Sequence, residues 1–401
     1  MLRKCVVLLA MLSLVGCNAS TVRTTVFSPT LAPTPKAVNT IQLPTVTPRP
    51  SATSTPSPTP TTSPTSRPTG TSAPTGVTIP PGLTYLVREV GSRYRLLQIG
   101  NNGQPVILLS LDVDSIHQIF DFSPDGMGLL YSEKDKGGIW LANLKTGEHQ
   151  NLTDKIPRNV TDYSAQWRPG HPQTIIFGSY LDGDDITMSS GFLTELQIDS
   201  GQYRLLDDKT QFFGAAPSPD GKMIAYDDGG SEGWLYEEEK GSRRFKPEQF
   251  GLTAKGPISI GGPSWSADGK KLAWAVAGKF GKEGEQFAVA IFDLERGTSK
   301  LLHPYEIGGI DMGPYAGVWS PDGEWLAFYV PADSDNESGI WVAKADGSEE
   351  HLLIKEEKPV VWSPDSRWLI AGTMLFEVGS WRTQPFDLLA DRVVGWVDLS
   401  K

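Results

Sequence analysis

A five-residue motif recurs along the chain and constrains its fold more than any other feature. Its clearest copy is WSPDG at 319–323. Close copies are FSPDG at 122–126, PSPDG at 217–221, WSADG at 265–269 and WSPDS at 362–366, with a degraded version, WRPGH, at 167–171. Successive copies start 43 to 54 residues apart. Repeats of this length with four strands each are typical of a β-propeller.

The repeat unit is easiest to recognise at 313–354. The run GPYAGVW precedes the SPDG turn, and the runs EWLAFYV, GIWVAK and EEHLLI follow it. Such β-branched and aromatic runs between Gly, Pro and Asp predict four short strands. In the turn, Pro presets φ, Asp bonds nearby backbone and Gly accepts a positive φ. We therefore interpret the motif as a scaffold turn between a unit's first two strands, and expect Trp265, Trp319 and Trp362 to pack between sheets.

Three of these turns continue into a longer pattern. They read SPDGKMIAY at 218–226, SADGKKLAW at 266–274 and SPDGEWLAF at 320–328. This pattern resembles the TolB-like propeller repeat family, which also shares its architecture with WD-repeat proteins. The resemblance covers about 83–401 and is specific for the fold but not for a function. TolB has a further domain before its propeller, whereas this chain has a Pro/Thr-rich stretch there, so the role of TolB does not carry over.

The two ends of the repeat region complete each other. Residues 83–100 and 105–110 contain strand-like runs that fit the second, third and fourth strands of a unit without a first strand. Residues 392–400 fit a lone first strand, with Trp396 in the place of the motif aromatic. We therefore expect an all-β propeller over 82–401 with seven blades, closed by the C-terminal strand, which hides exposed sheet edges. A six-bladed ring is the alternative.

The first 17 residues predict export. Two basic residues precede a short apolar run, which is typical of a secretory signal rather than a membrane-spanning helix. The run ends in LVGC at 14–17, which resembles a bacterial lipobox and implies cleavage before Cys17 and lipidation of that residue. The alternative is an ordinary signal peptide. Because Cys5 and Cys17 are the two cysteines of the chain, the folded part has neither a disulfide nor a thiolate site.

Residues 18–81 differ in composition from the rest. They are rich in Pro, Thr and Ser, contain no acidic residue and offer little apolar surface to bury. They predict a disordered stalk between a lipid anchor and the propeller. We therefore expect an extracytoplasmic protein anchored to the cell membrane, with the propeller exposed at the cell surface.

Charge is divided unevenly along the chain. The formal net charge is −11, and residues 1–88 hold seven basic and no acidic residues, which leaves −18 on residues 89–401. An acidic domain repels phosphate backbones, so the charge argues against nucleic acid as a partner. It also disfavours docking on anionic lipid, and we expect membrane contact through the anchor alone.

The expected topology divides the connections between two faces. First-to-second and third-to-fourth turns share a turn face, where tight SPDG-type turns lie. Second-to-third and fourth-to-first connections share a loop face, where long irregular segments lie at 179–191, 227–233, 277–286, 303–317 and 331–338. Because long loops on a rigid scaffold usually carry binding, we expect the loop face to hold the ligand site. Its candidate residues are Tyr180, Asp182, Asp184, Asp185, Trp234, Asp311, Tyr315, Asp333, Asp335 and Glu337.

A cofactor is not required by this pattern. The alternating oxygens of Asp333, Asp335 and Glu337 suit Ca²⁺, but the spacing is not that of an EF-hand loop. The alternative is a solvated polar loop that binds no metal.

Signals for catalysis are poor. The five histidines are scattered without HxH or HxxxH pairs, and the G-x-S-x-G match at 229–233 precedes a strand-like run instead of a helix. We therefore expect a non-catalytic binding module for a protein, peptide or glycan. The alternatives are a secreted hydrolase or lyase with carboxylates near the central pore, and a structural subunit of the cell envelope.

Overall fold

The computed structural model describes the propeller region in twelve segments: 84–89, 94–99, 105–111, 116–133, 136–181, 191–208, 210–228, 232–281, 284–306, 317–331, 338–386 and 390–397. Within these segments the secondary structure is strand and turn, with one 3-10 helix, η1 (Pro247–Phe250). No helix in them has the length and hydrophobicity needed to cross a membrane. The predicted signal, the stalk and Cys17 lie outside the described residues.

Antiparallel sheets of four consecutive strands repeat along the chain. Blade 1 contains β1 (Thr84–Glu89), β2 (Tyr94–Ile99) and β3 (Pro105–Leu111). Blade 2 contains β4 (Ile116–Phe122), β5 (Gly128–Glu133), β6 (Trp140–Asn143) and β7 (His149–Asn151). Blade 3 contains β8 (Asn159–Trp167), β9 (Thr174–Tyr180), β10 (Gly191–Gln197) and β11 (Gln202–Leu205), with the short β12 (Gln211–Phe212) beside β10.

The remaining blades follow the same plan. Blade 4 contains β13 (Gly214–Pro217), β14 (Met223–Asp227), β15 (Gly233–Glu237) and β16 (Gly241–Arg244). Blade 5 contains β17 (Ser259–Trp265), β18 (Lys271–Gly278), β19 (Gln286–Asp293) and β20 (Thr298–Glu306). Blade 6 contains β21 (Val318–Trp319), β22 (Trp325–Val330), β23 (Gly339–Lys344) and β24 (Glu350–Ile354). Blade 7 contains β25 (Val360–Trp362), β26 (Trp368–Ala371), β27 (Met374–Glu377) and β28 (Thr383–Pro385).

Blade 1 is completed by the end of the chain. The last strand, β29 (Ala390–Val397), pairs antiparallel with β1, and Trp396 lies opposite Tyr85 in this register. The first strands of the sheets contact one another in ring order, along β4, β8, β13, β17, β21, β25 and β29. The described strands therefore form a β-propeller, and the predicted completion of the sheet of β1, β2 and β3 by the C-terminal strand is confirmed.

The recurring pentapeptide forms the turn between the first and second strands of a blade. In the copy at 320–323, the Ser320 hydroxyl donates to the Asp322 carboxylate at 2.5 Å and accepts from the Trp325 backbone N–H at 2.9 Å. Asp322 also accepts from the Glu324 backbone N–H at 3.0 Å. The same three bonds recur in the copies that begin at Ser123, Ser218, Ser266 and Ser363. The motif is thus a turn scaffold, as predicted.

The aromatic residue before the turn joins neighbouring blades. The indole nitrogens of Trp265, Trp319 and Trp362 donate to backbone carbonyls in the preceding blade, at 2.8, 3.1 and 2.9 Å. The three rings are at most 8% exposed. The expected packing between sheets is confirmed, and the structure adds a repeated hydrogen bond that fixes each blade against the one before it.

The apolar core is divided among the spaces between blades. Each of five clusters of buried residues draws its members from two neighbouring blades, from the space between blades 2 and 3 to that between blades 6 and 7. The cluster between blades 4 and 5 is built around Trp274 and Phe292, which are fully buried. Burial between sheets supplies the main stabilisation of such a ring.

The two faces are unequal, as the sequence predicts, but the loop face is not uniform. Its long segments connect strands of blades 3 to 6 and include 181–190, 245–258 and 307–317. In blade 7 the second and third strands are joined by the two residues Gly372 and Thr373, and Gly372 has a φ of 61°. The long connections of the loop face, which are expected to carry the ligand site, therefore lie on blades 3 to 6 and not around the whole ring.

Candidate functional site

The connection from blade 4 to blade 5 lines a concave site on the loop face. It runs over 245–258 and contains η1 (Pro247–Phe250), which is followed by Gly251 with a φ of 76°. Phe245 holds it to the core, because its ring lies 4.5 Å from Trp274 and 4.9 Å from Phe292, measured between centroids. The connection is long, but Phe245 packs its first residues against the core.

A pocket of about 210 Å³ opens between this connection and blade 5. We call it the connection pocket. Its apolar floor contains Phe245, Ile258 and Ile260, which are at most 9% exposed. Gly233 lies close beside it, since a Cβ there would be 3.2 Å from Trp274 and 3.3 Å from Ile260. The pocket is thus shaped by core residues.

The rim of the connection pocket is charged. Arg244 and Glu232 form an ion pair across its edge, with Nη2 and Oε1 3.0 Å apart, and Lys246 and Glu248 also line it. The Glu232 backbone N–H donates to the Asp228 carboxylate at 3.0 Å, which closes the neighbouring loop at its base. An apolar floor with charges of both signs around it is the arrangement expected of a site for one apolar group of a larger polar ligand.

Two of the ten predicted loop-face residues lie in the described part of the chain. Tyr180 ends β9 and is half-buried. Trp234 follows Gly233 at the start of β15, where its ring stacks on Tyr226 with centroids 6.5 Å apart. No ring contact described in the structure joins Tyr180 to Trp234. Trp234 therefore belongs mainly to the packing between blades 3 and 4, beside the connection pocket and not in it.

The other predicted residues fall outside the described segments. They are Asp182, Asp184, Asp185, Asp311, Tyr315, Asp333, Asp335 and Glu337. In the part that the structure describes, no group of three His, Cys, Asp or Glu residues is arranged to hold a metal ion. Calcium binding by the loop at 333–337 stays a prediction.

The first strands of the blades contact one another around the centre of the ring. Among the side chains of these strands that the structure describes, Asp121 is the one acid. It lies at the turn-face end of β4, where its carboxylate accepts from the Phe122 and Trp167 backbone N–H groups, both at 2.9 Å. Burial raises the pKa of Asp121 to about 7, although these two bonds lower it. The residue thus ties blade 2 to blade 3 and is distant from the loop face.

The connection pocket was not predicted from the sequence. The segment 245–258 contains Pro, Gly and Lys like an ordinary loop, and its special property is the burial of Phe245 against blade 5. The one available signal was the length of sequence between the strands at 241–244 and 259–265, which exceeds that of the other connections in blade 4.

Comparisons with known proteins bear on the fold. No protein-family model matches the chain, and no curated protein matches it. TolB from Acinetobacter baumannii is 20% identical, with a TM-score of 0.43; the match covers 79% of this chain and 66% of TolB, just under two thirds of its length.

Two further solved structures are similar. An oligogalacturonate lyase in complex with manganese is 14% identical with a TM-score of 0.52, over 72% of this chain and 87% of the lyase. The β-propeller domain of Cps50 (Swd1) from Myceliophteria thermophila is 14% identical with a TM-score of 0.44, over 78% of this chain and 99% of that domain. Identities this low speak for the fold alone. The chain is a β-propeller, which is the fold that its resemblance to TolB-like repeats implies.

Proposed function

We propose that this protein is a non-catalytic binding module that presents the loop face of blades 3 to 6 to a protein or peptide. The connection pocket is the observation that carries the proposal. Its floor accepts an apolar side chain, and the Arg244–Glu232 pair on its rim offers a donor and an acceptor to the flanking backbone. A glycan is the second ligand class, but a floor of Phe and Ile suits it less well.

The rigidity of the pocket supports this function. Phe245 is 2% exposed and is enclosed by the rings of Phe250, Trp274 and Phe292. A site that exists before binding costs little ordering entropy when the ligand arrives. The surrounding long loops are able to enlarge the contact area, as loops on a rigid scaffold commonly do.

Two other functions are alternatives from different classes. A hydrolase or lyase of the glycosidase type needs two carboxylates that converge near the reacting bond. Asp121, the described acid of the first strands, lies alone at the turn-face end of β4. The similarity to oligogalacturonate lyase does not favour this reading, because it is a similarity of fold. A structural envelope subunit needs an apolar patch that a partner covers.

The test compares two substitutions at Ile258 in the full-length chain. Ile258→Trp fills the connection pocket, whereas Ile258→Val leaves it open, and thermal melts confirm that both variants fold. Wild type is screened against a peptide-display library and a glycan array. We expect selected peptides to bind wild type and Ile258→Val alike, and Ile258→Trp about tenfold or more weakly.

Three outcomes would contradict the proposal. Ligands that bind Ile258→Trp as tightly as wild type would show that they do not bind in the connection pocket. Cleavage products detected by mass spectrometry would make the protein an enzyme. A library and an array that both yield no saturable ligand would favour the structural subunit.

A further inference from the structure

The outer strand of blade 1 differs from the outer strands of the other blades. It is β3, which reads PVILLSL over Pro105–Leu111. In the order of its sheet it pairs with β2, and its other edge has no partner among the described strands. Such an edge presents a row of backbone N–H and C=O groups with which a further strand can pair.

Edge strands are usually protected against such pairing by short length or by charged side chains. The outer strands of the other blades follow this rule. Two of them, β7 and β28, have three residues each. The other four carry charge: Arg204 in β11, Arg243 and Arg244 in β16, Lys300 and Glu306 in β20, and Glu350 in β24. In contrast, β3 has seven residues and no charged one, so it is the unprotected edge among the described blades.

Two neighbouring side chains of β3 are open to solvent. Val106 is 53% exposed and Ile107 is 49% exposed, the two highest values among the large apolar side chains that the structure describes. Because successive residues of a strand point to opposite faces of its sheet, both faces are uncovered at this point. An unpaired edge with aliphatic side chains on both faces favours pairing with another strand.

The distribution of charge favours a second copy of this chain as the partner. The formal net charge of the chain is −11, and residues 1–83 hold six basic and no acidic residues. Residues 84–111 hold three arginines and one glutamate, which leaves −19 on residues 112–401. Two copies therefore repel each other through most of their surface. They approach with less repulsion through blade 1, where the strands before residue 112 carry +2.

Identical edges also suit each other geometrically. An antiparallel pair of two identical strands has a two-fold axis, so the same residues of both copies meet and a single interface closes the assembly. Because β3 is uncharged, this pairing places no like charges of the two strands opposite each other. The register with β2 shifts between Leu96 and Leu97, which leaves an extra residue in β3 between Ile107 and Leu109. This bulge shortens the regular part of the edge, so we expect a reversible dimer.

We propose that β3 pairs antiparallel with β3 of a second copy of this chain, so that two propellers share one continuous sheet. Val106 and Ile107 of each copy pack against the other copy on the two faces of this sheet. An interface of this size is smaller than that of a permanent dimer, and we expect a dissociation constant in the micromolar range. In ring order, blades 4 and 5 lie far from blade 1, so this proposal does not depend on the connection pocket.

The test is sedimentation equilibrium of the full-length chain with Cys17→Ser, which removes the proposed lipid and any association through acyl chains. This chain is compared with forms that also carry Ile107→Lys or Val106→Lys, over a range of protein concentrations. Leu205→Lys is the matched control, because Leu205 is 37% exposed on the outer strand of blade 3. At such exposed positions the ammonium group of lysine reaches water, and thermal melts verify that each variant is folded.

We expect the mass to rise with concentration from that of one chain towards that of two. Ile107→Lys and Val106→Lys should each raise the dissociation constant about tenfold or more, because each brings two like charges together beside the two-fold axis. Leu205→Lys should leave the dissociation constant unchanged. The proposal is overturned if the chain remains a monomer at every concentration, or if both β3 variants dimerise as tightly as Leu205→Lys.

Discussion

The indole nitrogen of Trp319 in blade 6 donates a 3.1 Å hydrogen bond to the carbonyl oxygen of Ser264 in blade 5, across a separation of 55 residues. Trp265 and Trp362 make the equivalent bond to the blades before them. The same aromatic position therefore both fills the space between two sheets and fixes their relative height. A ring of sheets that otherwise touch through apolar side chains gains directional contacts in this way.

Replacing Trp319 by Phe tests the contribution of this bond. The variant keeps an aromatic ring but leaves the Ser264 carbonyl without its donor, which we expect to lower the free energy of unfolding by about 1–3 kcal/mol beyond the loss of volume. Trp368→Phe is the matched control, because the indole nitrogen of Trp368 is buried without a hydrogen-bond partner in the described residues. Urea unfolding of both variants gives the difference. Equal losses would mean that the bond contributes nothing.

Blade 3 replaces the turn serine by an arginine with a larger role. The Arg168 guanidinium is fully buried, donates from Nε to the Gly221 carbonyl at 2.9 Å and pairs with Glu195 and Glu238. Burial works to raise the pKa of Glu195, but hydrogen bonds from Arg204 and Arg168 together lower it. The turns of blades 3 and 4 are thereby joined by charge instead of an indole.

We expect Arg168→Met to lower the free energy of unfolding by about 3 kcal/mol, because it leaves the Gly221 carbonyl without its donor and removes one of the two cations that bond Glu195. Arg204→Met, which removes a half-exposed partner of the same Glu195, should cost about 1 kcal/mol or less. Chemical denaturation measures both. A loss for Arg168→Met as small as that for Arg204→Met would show that the buried guanidinium is not a structural link.

The ring and its closure could be predicted because both depend on short sequence patterns that can be recognised locally. Each SPDG-type turn contains all its hydrogen-bonding groups within six residues, so its recurrence counts the blades, and the unmatched strands at 84–111 and 390–397 complete the count. The charge links around Arg168 could not be predicted, since its partner Glu238 lies 70 residues away in the next blade.

From the sequence we could predict the face of the ring that carries the candidate site, but not the position of the site on that face. Alternation of strands assigns the long connections to one side, but it does not show which of them is anchored to the core. The connection pocket depends on how Phe245 packs against Trp274, a contact between two blades that no local pattern encodes.

The proposed tether is tested through Cys17. If this cysteine carries lipid, Cys17→Ser should move the protein from the membrane fraction to the soluble fraction, because the acyl chains supply the membrane affinity. Immunoblots of fractionated cells that express each form give the distribution. Cys5→Ser, within the predicted signal, is the control and should leave the protein on the membrane. Retention of Cys17→Ser on the membrane would contradict the lipid anchor.

Asp121 predicts how stability depends on pH. Burial raises its pKa from 3.8 to about 7 in the folded protein, whereas in the unfolded chain it titrates at its ordinary value. Between these pH values the folded state binds more protons than the unfolded state, so the contribution of Asp121 to stability is greatest below about pH 4 and is lost as the pH rises towards 7. The loss is at most about 4 kcal/mol, and less because the side chain is partly exposed.

Asp121→Asn removes this titration but keeps a single acceptor oxygen for the two backbone N–H groups of Phe122 and Trp167. We expect the variant to be less stable than wild type at pH 4 by about 1 kcal/mol, the value of one hydrogen bond. The deficit should shrink as the pH rises and disappear or reverse by pH 8. Urea midpoints measured at intervals from pH 4 to pH 8 report the difference. Parallel curves for the two proteins would mean that Asp121 keeps an ordinary pKa, and that its two hydrogen bonds balance the cost of its burial.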